Sequence, residues 1–199
     1  MENPESIRSF WFGNSPDDAV MAKDNSKMWW SKQPELDARI RTRFETTLEA
    51  AATGKADSWT ASAQGTLALI LLTDQFPRNM YRGTPAAFGT DELARRWTLE
   101  GLARGVDKKL RPVERVFFYL PLEHSESLEH QTQAVNLFNQ LFQEVPADQM
   151  ELFRGFLMYA LRHRRVIERF GRFPHRNDIL QRPSTEEEVA FLLEPGSSF

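Results

Sequence analysis

Three short clusters of this sequence carry side chains suited to acid/base chemistry or to holding an anion. They are Asp74, Arg78 and Asn79; His124 and Glu126; and His163, Arg172, His175, Arg176 and Asn177. A general acid/base site needs a group that titrates near neutrality, a partner that orients it and a cation that stabilises developing negative charge. His163 or His124 fits the first role, Asp74 or Glu126 the second, and Arg176 or Arg172 the third, with no role assigned uniquely. The arginine forks also match carboxylate or phosphate groups in two-point contact. The same residues serve equally well in a buried network, where Asp74 and Glu126 neutralise arginines and satisfy loop backbone without any ligand. For His163 alone, a satisfied core histidine competes with a catalytic one. Ser125 beside His124 is no nucleophile motif, because the glycine-rich elbow is absent and neighbours on a turn seldom face each other.

The third cluster is the densest, and the helix before it decides where its histidine points. Phe156, Ala160, His163, Ile167 and Phe170 recur at three and four residues, so they share one side of a helix and His163 faces inward. Gly171 suits a left-handed cap, and Pro174 forces Phe173 to be extended, which throws His175, Arg176 and Asn177 back toward the helix end. Arg162, Arg164, Arg165, Arg169, Arg172 and Arg176 stand against the single acid Glu168. A basic patch of this kind on a chain of net charge -3 suits a small anion or an acidic partner surface, and the overall acidity argues against nucleic acid.

The remaining elements must bring the clusters together. Asn3-Pro4 starts a helix that Gly13 ends, a second runs from Met21 to Trp30, and Pro34 opens a third carrying Leu36, Ile40, Phe44 and Leu48. The stretch from Thr60 is the most apolar, and the pattern predicts that this helix ends with Asp74 and Gln75 in its last turn. There an acid opposes the helix dipole unless a cation compensates, and Arg78 is the nearest. Thr90 is expected to cap the next helix, Pro121 to interrupt the one that Pro112 begins, Ser125 to cap its successor, and Ser184 with Glu187 to form a capping box. Phe76-Pro77-Arg78-Asn79 and Phe173-Pro174-His175-Arg176-Asn177 echo one another, each placing an Arg-Asn pair just after Phe-Pro. No strand pattern appears, so the expected fold class is all-α, an arrangement of antiparallel helices with short connections.

With 199 residues and no cysteine, a single helical domain spanning 1–199 is expected, with 195–199 a frayed tail, and disulfides and thiolate metal sites are excluded. The longest aliphatic run, Leu67 to Leu72, is too short for a bilayer and the first residues form no signal peptide, so a soluble cytoplasmic protein is expected. No phosphate-binding glycine loop, dinucleotide fingerprint or zinc-ligand array is present, and no cofactor is expected. Glu126 and His130 have the four-residue spacing of metal ligands, but complementary ligands on a second helix are not evident, and no metal is assigned.

Phe10-Trp11-Phe12-Gly13, Asp74 to Asn79 with Tyr81-Arg82-Gly83-Thr84, Leu120-Pro121 with His124-Ser125-Glu126 and Gln131, and Arg169 to Asn177 together resemble the bacterial domain-of-unknown-function family 924. The resemblance covers nearly the whole chain. It implies stacked antiparallel helices, a tetratricopeptide-repeat-like superhelix without a repeat consensus, and it implies no reaction. Glu123 and Ser127 stand where an apolar residue and an acid are expected, and Gln181-Arg182 replaces a Gly-Arg pair. The leading expectation is a cleft, formed where helix ends converge, that binds a small anionic ligand bearing carboxylate or phosphate. The alternative is a helical scaffold for a protein partner, with a polar cluster that is purely structural.

Overall fold

Proline is tolerated at the first helical position, where the N–H has no intrahelical partner, and Pro4, Pro34 and Pro112 each occupy one. The computed structural model describes residues 2–197. In chain order its helices are α1 (Pro4–Phe12), α2 (Asp18–Trp30), α3 (Pro34–Ala52), α4 (Ala63–Ile70), α5 (Phe76–Met80), α6 (Asp91–Ala103), α7 (Pro112–Glu123), α8 (Leu128–Glu144), α9 (Met150–Phe170) and α10 (Glu186–Leu192). Short 3-10 turns occupy Asp57–Ala61, Pro85–Phe88, Asp107–Lys109 and Pro174–Arg176. No strand occurs among the described residues, so the fold is all-α.

The core follows from the two most apolar segments. From Leu67 to Leu72 every side chain is sealed from solvent, and α7 is buried from Val113 through Glu123. Trp11 and Phe12 from α1, Phe44 from α3 and Phe76 from α5 meet Phe117 of α7 in a chain of ring contacts at 4.6 to 5.7 Å. Gly101 sets the approach of α6 to α7. A Cβ there would lie 2.6 Å from the Phe118 ring, so only glycine admits this packing. Behind α7, the long helices α8 and α9 run against each other, and α8 also packs on α7. His163 is buried on α9 beside Ala160 and Ile167, as its spacing predicts. Gly171 caps that helix at φ 68°.

Several expected boundaries shift, each for a visible reason. The apolar helix does not stop at Gln75. It widens into a π turn over Leu71–Gln75, closed by the Phe76 N–H on the Leu71 carbonyl, and continues through α5. Pro77 has no N–H to offer the preceding turn, and the Thr73 carbonyl instead accepts from the Thr90 hydroxyl at 2.6 Å. That use of Thr90 is why it makes no side-chain cap on α6. Pro121 lies within α7 because the His124 N–H still closes on the Leu120 carbonyl at 2.8 Å. The α7–α8 corner is clamped by the buried Gln131 amide, which donates to the Glu123 and Ser125 carbonyls at 2.5 and 2.7 Å. The cap of α8 therefore falls to Ser127 instead of Ser125. The last capping box is Thr185 with Glu188, one residue beyond the expected pair.

Of the tail expected to fray, 198–199 lie outside the described residues, while Arg162 donates to the Gly196 carbonyl at 3.0 Å. No described helix is long and apolar enough to cross a membrane.

Candidate functional site

The π turn carries the most buried acid of the molecule into the centre of the polar cluster. Asp74 is wholly sealed from solvent. Its Oδ1 accepts from His124 Nδ1 at 2.8 Å and lies 3.2 Å from Arg78 Nη1, while Oδ2 accepts from Gln75 Nε2 at 2.5 Å. Burial pushes this carboxyl upward in pKa, but the charges of Arg78 and His124 more than offset it and hold it well below the usual carboxylate range. Because a carboxylate only accepts, His124 donates from Nδ1, and Nε2 is left as its acceptor. Burial, with Arg78 beside it, lowers the pKa of His124 despite Asp74, so the ring is neutral near pH 7. An extra residue in the helical turn at such a position is a frequent mark of functional sites.

Arg78 is committed on every side. It donates to the Asp74 carbonyl at 2.7 Å and clasps Asp91, in the first turn of α6, through two bonds of 2.7 and 2.9 Å. Arg176, from the 3-10 turn Pro174–Arg176, approaches the same Asp91 but stops at 3.9 Å. Its guanidinium stacks on Phe173 and Phe88, with centroids 4.4 and 4.8 Å away, and is only 7% exposed. Among the described residues it makes no side-chain hydrogen bond, and its Nε is sealed with no partner. Burial and the neighbouring charge of Arg78 lower its pKa to about 10.

A second buried layer lies behind His124. Its ring is 6.3 Å from that of His163, whose Nδ1 donates to the Tyr159 carbonyl at 2.9 Å and lies 3.2 Å from Glu123. Burial lowers His163 to about 3, and burial with the nearby Asp74 charge pushes Glu123 up to about 8. Both side chains are therefore largely uncharged at neutral pH. His175 is lowered to about 4, by burial first and then by Arg176.

The remaining expected residues turn away from this centre. Glu126 pairs with Arg182 through bonds of 2.7 and 2.9 Å and accepts from the Phe173 N–H at 2.8 Å, which pins the Pro174 turn to the α7–α8 corner. Arg172 and Asn177 both reach Glu188 on α10; the guanidinium fork, at 2.6 and 2.7 Å, holds that carboxyl down at about 2. Asn79 faces the other way, donating to Asp37 at 2.8 Å beside Arg82. Asp74, Arg78, His124, His163, His175 and Arg176 thus form one neighbourhood, Glu126 borders it, and Arg172, Asn177 and Asn79 belong to separate locks. Asp91 and Arg95 were not singled out by sequence, and Glu123 and Arg182 stood out only as departures from the family's pattern.

This neighbourhood opens to solvent through a cleft of about 340 Å³, lined by Asp91 and Arg95 of α6, by His124 to Ser127 at the corner, and by Arg176. Arg95 forms no ion pair among the described residues. The charged groups that line it are the guanidinium groups of Arg95 and Arg176 and the carboxylates of Asp91 and Glu126, each of these carboxylates being paired from behind, by Arg78 and by Arg182. The cleft is also where α8 begins, so its dipole favours negative charge there. No group of three or more acids or histidines placed to hold a metal ion occurs among the described residues. A second cleft, of about 420 Å³, is lined by Pro16, Arg111, Pro146 and Gln149 and shares no lining residue with the first.

Residues 7–196 match the model of a family described as bacterial protein of unknown function, DUF924. The chain belongs to this family. A solved structure of a protein of unknown function from Agrobacterium tumefaciens is similar to this DUF924 chain at 39% identity, with a TM-score of 0.75, covering 89% of this chain and 99% of that one. No curated protein matches it. Gln181, the first residue of the Gln181-Arg182 pair for which the resemblance leads one to expect Gly-Arg, has a left-handed backbone at φ 55°. Glycine takes this backbone without strain, whereas the Gln181 side chain does not.

Proposed function

We propose that this DUF924 protein binds a small anionic ligand, bearing a carboxylate or phosphate, in the cleft between the start of α6 and the α7–α8 corner. The observation that carries this reading is Arg176. A guanidinium so deeply buried ordinarily has its donors satisfied by protein, because leaving a charge desolvated and unpaired is costly. Here Asp91 is clasped by two bonds from Arg78 and stays 3.9 Å from Arg176, which lines the cleft and makes no side-chain hydrogen bond among the described residues. An anion would complete the set. The two ring faces that hold Arg176 fix its orientation in advance, which lowers the cost of ordering it on binding. Arg95 adds a second cation, and Ser125 and Ser127 also line the cleft.

The Arg172–Glu188–Asn177 and Glu126–Arg182 groups support a structural role for their own part of the cluster, since their donors and acceptors close on one another. They hold the Pro174 turn in place. A thermal-shift screen with inorganic phosphate, phosphorylated metabolites and di- and tricarboxylates tests the reading. Ligands of the right class raise the melting temperature, by about 2.7 kcal/mol of added stability at a hundredfold excess over Kd. Arg176→Met abolishes the rise. No response from any anion, with a protein partner retained instead by the intact chain, would favour the scaffold alternative.

A further inference from the structure

We propose that the cleft is a proton-transfer site in which His124 Nε2 takes a proton from the bound anionic substrate and Asp74 positions the ring. This rests on the anion-binding reading above and extends it from binding to chemistry. The geometry that points to it is the order of the three groups. Asp74 is sealed, so it cannot itself meet a ligand, but it holds Nδ1 of His124 at 2.8 Å. His124 lines the cleft, so the edge of its ring not spent on Asp74 is the one a ligand can reach. Arg176 lines the same cleft, makes no side-chain hydrogen bond among the described residues and stops 3.9 Å short of Asp91. A base oriented by a buried carboxylate, next to a preset cation for the developing negative charge, is the arrangement general-base catalysis needs.

The step balances without any oxidant or co-reactant. A proton leaves an O–H, N–H or C–H of the substrate, its electron pair stays on the substrate as the anion facing Arg176, and the proton rests on Nε2. The resulting imidazolium is stabilised by Asp74, and the proton returns to product when turnover ends. Asp74 and Arg78 face His124 from the π turn and α5, Asp91 from α6, His163 from α9, and His175 and Arg176 from the Pro174 turn; Glu123 precedes it on α7.

Sulfate is the probe that isolates this claim: its two charges stand for the substrate anion plus the charge left behind by the transferred proton. It carries no proton of its own in the neutral range, and any proton taken up on binding enters the protein. Isothermal titration of the full chain with sulfate, in two buffers of different ionisation enthalpy between pH 6 and 8, should show uptake approaching one proton. Affinity should rise by up to about tenfold for each unit fall in pH. In His124→Gln sulfate still binds, but the uptake and the pH slope vanish. Nitrogen-15 spectra of the unsubstituted protein should show His124 neutral with the proton on Nδ1, and Asp74→Asn should lose that tautomer preference. The spectra of the unsubstituted chain decide the point even if that variant fails to fold. Sulfate binding with no proton uptake, or uptake that survives in His124→Gln, overturns the proton-transfer role while leaving anion binding intact. Absence of sulfate binding at every pH overturns both.

Discussion

Arg78 and Arg176 share one acid, Asp91, and one ring, Phe88, yet they stand in opposite states. Arg78 sits in a helix, in the segment Phe76-Pro77-Arg78-Asn79, with bonds to the Asp74 carbonyl and both oxygens of Asp91. Arg176 sits in a 3-10 turn, in Phe173-Pro174-His175-Arg176-Asn177, with no side-chain hydrogen bond among the described residues and Asp91 at 3.9 Å. Their asparagines diverge as well, Asn79 toward Asp37 and Asn177 toward Glu188. The difference teaches that one arginine is part of the frame and the other is presented by it. Arg78 neutralises Asp91, and Arg176 is left buried beside that carboxylate at 3.9 Å, beyond hydrogen-bond reach of it.

The contrast breaks most visibly in stability. Arg78→Met strips the cation from a sealed Asp74 and from Asp91, and urea unfolding should show a loss of about 3–5 kcal/mol. Arg176→Met keeps the contact with the two rings and removes a charge that has no firm partner. Its unfolding free energy should stay within about 1 kcal/mol of the parent or rise. Equal losses in the two variants would erase the distinction between frame and presented group.

The second layer sharpens it through pH. Glu123 has a folded pKa of about 8 against an ordinary 4.5, so its contribution is complete below 4.5 and is lost as pH rises toward 8. His163, lowered to about 3, works in the opposite sense, and stability falls as pH drops from 6.5 toward 3. Glu123→Gln should therefore raise the melting temperature more at pH 8 than at pH 5. An equal effect at both values would mean that Glu123 is not held protonated behind His124.

Helix faces were legible because burial follows a local period. His163 could be placed inward, Gly171 could be named a left-handed cap, and Arg78 could be matched to Asp74 from their spacing alone. The π turn was not legible, since nothing local distinguishes a helix that ends before Phe76-Pro77 from one that widens to pass it. Asp91 looked like an ordinary acid in the first turn of a helix, and its role depends on two arginines 13 and 85 residues away. Glu123 stood out only as a polar residue in an apolar position. Arg182 gained its meaning from Glu126 across 56 residues. Long-range pairing of charges is the part that periodicity does not encode.

Smaller effects test the scaffold around Arg176. Glu126→Gln leaves the Arg182 fork with a weaker acceptor and should cost about 1 kcal/mol, loosening the Pro174 turn, which hydrogen exchange at the Phe173 amide would show as lost protection. Gln181→Gly relieves a left-handed backbone and should stabilise by about 0.5–1 kcal/mol in thermal unfolding, without altering ligand response.

Calorimetric titration of inorganic phosphate into the parent and into Arg176→Met, both verified as folded, addresses the uncommitted guanidinium most directly. Saturable binding in the parent that disappears in the variant, with stability otherwise preserved, is the predicted result. Indistinguishable titrations, whether both bind or neither does, would mean that Arg176 is not waiting for an anion.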